Sequence, residues 1–132
     1  MRIILIVPMM LALAMGTANA HDMHGGIMPM ITAPLDGATV SAPVTVSVEV
    51  MGMQDMGAQH HAHLHLLIDS PLPAAGTMIP MDDKHIHLMH GEQKASIRLA
   101  PGKHTIQAII GGDNHTVPEN AEHSELITVF VK

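Results

Sequence analysis

The stretch "PVTVSVEV", residues 43–50, alternates with a strict period of two. Val44, Val46, Val48 and Val50 fall on one side, and Thr45, Ser47 and Glu49 on the other. Only an extended strand turns that pattern into one apolar and one polar face, because successive side chains point to opposite sides of the backbone. Valine adds to the preference, since its stiff β-branched side chain packs well on a pleated surface. The same period recurs downstream. "HAHLHLLID" sets Ala62, Leu64, Leu66 and Ile68 against His61, His63 and His65. "HIHLM" sets Ile86 and Leu88 against His85, His87 and Met89. "KASIRLA" turns Ala95, Ile97 and Leu99 inward. After the Pro101-Gly102 turn, "KHTIQAII" does the same with Ile106, Ala108 and Ile110. "SELITVFVK" supplies a last strand, and residues 28–33 a short first one. No stretch carries an apolar stripe at helical spacing. The expected fold is all-β: an antiparallel β-sandwich of about seven strands, immunoglobulin-like or cupredoxin-like.

Ahead of these strands, Arg2, the apolar run Ile3 to Met15 and "GTANA" read as a secretory signal ending in the small-x-small pattern Ala18-Asn19-Ala20. The apolar run is about thirteen residues long, where a bilayer span needs roughly 20. No later segment approaches that length, so no membrane span is expected. The expected division is a cleaved signal over 1–20, a flexible His/Met-rich arm over 21–30 and one sandwich domain over 31–132. Export to a bacterial periplasm is the expected destination. The 132 residues less the first twenty leave 112, a length that buries about two-thirds of its unfolded surface. There is no cysteine, so packing alone must hold the domain, and thiolate metal sites such as blue copper are excluded. Without Arg2, five Lys/Arg stand against twelve Asp/Glu. That balance argues against nucleic acid, which is met by clustered cations, and favours positively charged ligands.

All twelve histidines and nine of the thirteen methionines follow residue 20, whereas Trp and Tyr are absent and Phe130 is the one phenylalanine. Platforms that stack sugars or bases on aromatic rings are therefore excluded. His61, His63 and His65 share one parity, opposite to the apolar residues, so they are expected on the outward face. Rings at this spacing stand about 6–7 Å apart along a strand, and neutral imidazole is a ligand for copper, zinc and nickel. A solvated polar face is the ordinary explanation for one such histidine, and three at the same parity weigh against it. His85 and His87 repeat the H-x-H device. If the two strands are neighbours, facing Cβ atoms come within roughly 4.5–5.5 Å, and His63, His65, His85 and His87 form a four-histidine cluster. Met51 and Met53 lie at the outward parity of the 44–50 strand, with Met56 in the turn beyond. Met23, Met28 and Met30 add further sulfurs. Thioethers select Cu(I) and would also take Ag(I), although methionine often only fills gaps in a core. A chain cleaved after Ala20 would begin at His21, whose α-amino group and ring can chelate Cu(II) as a histidine brace, with His24 and Asp22 completing it. A mobile terminus is the competing reading. His104 shares parity with Ile106 and reads as structural. His123 is open between roles, and no spacing argument reaches His115 in the loop "GGDNH". Asp82 and Asp83 read as solvated loop acids, an orienting hydrogen bond to His85 being the alternative.

Taken in order, "HLHLLID", "IP-x-DD-x-HIH", "PGKHT-I-Q" and "GGDNH" resemble a family of small exported bacterial domains known only as a domain of unknown function. The resemblance covers roughly residues 60–131. Its pattern implies a β-sandwich, an exported location and emphasis on His63, His65, His85, His87, His104 and His115, and it implies no activity. Leu88-Met89-His90 departs from it, standing where members have an aromatic residue and glycines. Residues 31–50 resemble bacterial immunoglobulin-like domains, which bears on fold alone.

The function expected is a periplasmic copper-binding protein for tolerance, storage or delivery, with no catalytic residue assigned. Its candidate ligands are His63, His65, His85, His87, His61, His115, His21, His24, Met23, Met51, Met53 and Met56. Copper as Cu(I) or Cu(II) is the expected cofactor and zinc the alternative. The expected partners are metal ions, with a copper exporter or another periplasmic copper protein as the candidate protein partner. Two other classes stay open. One is a zinc-binding or superoxide-dismutase-like metalloprotein, although the dismutase pattern of ligands and cysteines is missing. The other is a metal-free immunoglobulin-like interaction module. Nucleophilic hydrolysis has no support from a cysteine or a G-x-S-x-G elbow.

Overall fold

The computed structural model describes residues 28–52, 63–88, 92–112 and 114–132, and these hold eight strands and no helix. They are β1 (Met28–Ala33), β2 (Thr39–Val40), β3 (Val44–Met51), β4 (His63–Ile68), β5 (His85–Leu88), β6 (Lys94–Ile97), β7 (Gly102–Gly111) and β8 (Ile127–Val131). One sheet has the order β1-β3-β6 and the other β2-β8-β7-β4-β5. Pairing is antiparallel throughout except between β2 and β8. The all-β sandwich expected from the alternation is the observed architecture. The strand beyond the expected number is β2, whose two residues are too few for a period to register. The short first strand expected over 28–33 is β1, and it takes in residues 28–30 that the expected division of the chain also gives to the arm.

The inward valines of β3 do what their parity predicts. Val44, Val46 and Val48 meet Leu64, Leu66 and Ile68 of β4, Ile106 and Ala108 of β7, and Val129 of β8 in one core between the sheets. The Asp36-Gly37 turn is pinned to β8. Asp36 Oδ1 accepts the Thr128 N–H at 2.8 Å, and Gly37 N–H donates to Thr128 O at 2.7 Å. Gly37 holds a φ of 81° there, a conformation that glycine adopts without steric cost.

β4 departs from the expectation. Its apolar parity serves the main core, yet the other parity is covered as well. Segments 76–79 and 115–117 bond to each other through Gly76 N to Val117 O (2.8 Å), Val117 N to Thr77 O (2.9 Å) and Ile79 N to His115 O (2.7 Å). Ile79 and Val117 then join Leu67 and Ile109 in a second, smaller core on the outer face of the five-stranded sheet. His65 is 1 % exposed, and His63 is half-buried. The expectation that these histidines face solvent is thus corrected in environment, although their parity is as read. The physical reason is Leu67. It shares the parity of His63 and His65, and a large apolar side chain on that side draws a cover over the face.

Candidate metal centre

β4 and β5 are neighbours, with His65 directly opposite His87. On the other flank, β7 sets Gly111 opposite His63 and Ile109 opposite His65. Directly opposed residues of an antiparallel pair share a face, so His63, His65 and His87 all project to the covered side. His115 arrives from the loop after β7. Its φ is 59°, in the left-handed region that histidine visits more readily than most residues with a side chain. The loop is held by His115 N–H donating to Gly112 O at 3.0 Å and by its carbonyl accepting from Ile79. The His115 ring centroid lies 4.7 Å from that of His63, 4.6 Å from His87 and 5.5 Å from His65. One ring nitrogen each from His63, His87 and His115 lies within 4.8 Å of the others. His87 Nε2 and His63 Nδ1 are 3.0 Å apart. Nitrogens bound to one ion at about 2.0–2.1 Å lie roughly 3 Å from each other. The trio is therefore within side-chain adjustment of a single cation.

His65 has a different position. Its ring stacks on His87 at 4.6 Å with planes 10° apart. Two near-parallel rings cannot aim their in-plane lone pairs at one ion, so His65 backs His87 and does not complete the trio. Burial, and then the neighbouring rings of His87, His115 and His63, lower its pKa from 6.5 to about 4. It is neutral at neutral pH. Both of its nitrogens, and Nδ1 of His115, are buried with no hydrogen-bond partner among the described residues. Gly111 makes room for the ring. A Cβ there would stand 3.1 Å from His65 Nε2 and 3.1 Å from Ile79 Cδ1. Sequence reasoning passed over Gly111, whose only signal is a glycine pair closing a strand.

His85 sits apart. It lies opposite Leu67, its Nδ1 donates to Asp82 Oδ1 at 2.6 Å, and its Nε2 is 3.2 Å from Ser70 Oγ. In place of the expected set of His63, His65, His85 and His87, the rings gathered are His63, His65, His87 and His115. Asp82 is exposed, as a solvated acid should be, and it also orients His85, the alternative role; that hydrogen bond lowers the Asp82 pKa. Ser70, His85 and Asp82 line up like a proton relay. The residue after Ser70 is Pro71, which has no N–H to offer an oxyanion. His104 is structural, with Nδ1 donating to Asp69 Oδ2 at 2.6 Å and Nε2 to Ala100 O at 2.7 Å. Met51 ends β3 on the other sheet and is exposed. His21, Met23, His24, Met53, Met56 and His61 lie outside the described residues.

A family model described as "Domain of unknown function (DUF4399)" matches residues 38–132. No curated protein matches the chain. Among solved structures, one titled "Structures of Clostridium thermocellum CbhA fibronectin(III)-like modules" is similar, with a TM-score of 0.50 and 14% sequence identity. The likeness covers 80% of this chain and 46% of that one, so this chain spans less than half of its neighbour's length. It supports an immunoglobulin-like sandwich and carries no information on activity.

Proposed function

Since the chain belongs to the DUF4399 family, whose description assigns no activity, we propose a function from the site itself: an exported copper-binding protein whose ion is held by His63, His87 and His115. The carrying observation is the convergence of imidazoles from β4, β5 and the loop after β7, with buried ring nitrogens beside them that lack partners among the described residues. A buried polar atom without a partner costs about 1–3 kcal/mol, and within the trio Nδ1 of His115 is such an atom among the described residues, a cost that an ion bound there would offset. The trio is all nitrogen. Calcium and magnesium want oxygen, whereas imidazole suits copper, zinc and nickel. Copper comes first because divalent copper heads the affinity order for such donors. Three imidazoles with an open position are also a zinc set, and zinc is the second reading on that ground. The His65 ring supports the assignment as a neutral wall behind His87, contributing no positive charge to repel the ion. Tolerance, storage or delivery in a periplasm is the role proposed, with a copper exporter or another periplasmic copper protein as donor or acceptor.

The test is native mass spectrometry and metal analysis of the protein secreted by copper-supplemented cells. Wild type should carry one ion that a H63Q/H87Q/H115Q variant lacks, and copper should displace zinc from it. Equal metal content in wild type and an equally folded triple variant would sink the assignment.

A further inference from the structure

The imidazole trio leaves the methionines of the other sheet without a role. Met28 and Met30 stand on β1, and Met51 ends β3. Met28 lies directly opposite Met51, and Met30 lies opposite Glu49. Opposed residues share a face, with Cβ atoms roughly 4.5–5.5 Å apart, and diagonal neighbours remain within reach of long side chains. Three thioethers and one carboxylate therefore share one corner of the outer face of the three-stranded sheet. The methionines are exposed, at 54% for Met28, 45% for Met30 and 57% for Met51. The core does not need them. Pro29 between them is fully buried, and Val48 opposite Ile31 takes the inward side. Farther along β3 and on β6 this face carries Thr45, Ser47, Lys94 and Ser96, polar as a solvent face should be. Methionine has little strand preference to recommend it there. Its unbranched side chain with three rotatable bonds does let sulfurs from neighbouring strands meet at one point.

We propose that Met28, Met30 and Met51 form a second metal site that takes a soft monovalent cation, Cu(I) or Ag(I), through thioether sulfur. Sulfur of this type is a soft donor that discriminates against zinc and the hard cations. It carries no proton, so a cation need not compete with acid for it. Glu49 supplies the negative charge that offsets the ion's. The site does not depend on the imidazole trio.

Silver titration of the full chain, read by the methionine methyl signals in NMR, tests it without a reductant. Wild type is compared with M28L/M30L/M51L and with H63Q/H87Q/H115Q. Leucine keeps the apolar bulk on an exposed face, and circular dichroism confirms the fold. In wild type and in the histidine variant, the first silver bound should shift three methyl signals that are missing from the leucine variant. The leucine variant should bind one ion fewer. Unchanged stoichiometry in the leucine variant, or shifts spread over all methionines without saturation, would overturn the proposal. Thioether binding by a wild type whose trio takes neither copper nor zinc would support this site while sinking the other.

Discussion

The folded chain holds His65 neutral down to a pKa of about 4, against 6.5 for the unperturbed ring, chiefly because it is buried. Between those values the unfolded chain binds a proton there that the folded chain refuses. The His65 contribution to stability is therefore complete above pH 6.5 and drains away as pH falls towards 4, by on the order of 3 kcal/mol at most. Denaturant midpoints of the metal-free protein should fall from pH 7 to pH 4.5. His65→Leu should flatten that part of the profile, and an unchanged slope in the variant would contradict this account. His104 acts with the opposite sign. The hydrogen bond it donates to Asp69 raises its pKa, so its contribution is full below 6.5 and is lost as pH rises through the folded value. At His115 the backbone and the ring make separate demands. Asparagine also tolerates a positive φ, so His115→Asn should preserve the turn after β7 while removing the ring's contacts. The same substitution removes one imidazole of the trio, and copper affinity should fall at least about tenfold, a loss of ~1.4 kcal/mol. Competition titration against a chromophoric chelator reads it.

β4 is the element on which the site turns. One parity, Leu64, Leu66 and Ile68, is spent in the main core, and the other, His63, His65 and Leu67, lies under the cover of the 76–79 and 115–117 segments. A strand at the centre of a sheet can be buried on both faces, and its sequence then drifts from alternation towards a continuous apolar run. "LLI" at 66–68 is that drift. β7 matches β4 by placing Gly111 where any side chain would press on the His65 ring. Gly111→Ala should cost about 1–3 kcal/mol through overpacking. It should also weaken metal binding, because a displaced His65 ring pushes on His87. Thermal unfolding and metal titration of the one variant check both effects, and a variant as stable and as tight as wild type would show that the ring has slack.

For the molecule as a whole, binding and folding are linked. The trio draws on β4, β5 and a loop, and only the folded chain assembles it. Copper at 100 times its dissociation constant should add about 2.7 kcal/mol of stability. For a domain of this size that raises Tm by roughly 10–20 °C, taking about 4–8 °C per kcal/mol. H63Q/H87Q/H115Q should show none of the rise. The amino-acid sequence alone determined the strands other than β2, and with them the sandwich, because a period of two has one structural meaning. It also determined that His63, His65, His85 and His87 share a parity opposite to the core, since alternation along a strand is local. Their adjacency, the cover over their face and the choice of His115 over His85 were left to the tertiary structure. Periodicity tells which side of a strand a residue takes, and it carries no information on what lies over that side. The turn of the chain after β7 brings His115 to the rings through contacts with Ile79 and Gly112, residues far from it and near it in sequence alike. His85, two residues from His87, is drawn away by hydrogen bonds to Asp82 and Ser70 that only the path of the 69–84 connection makes possible.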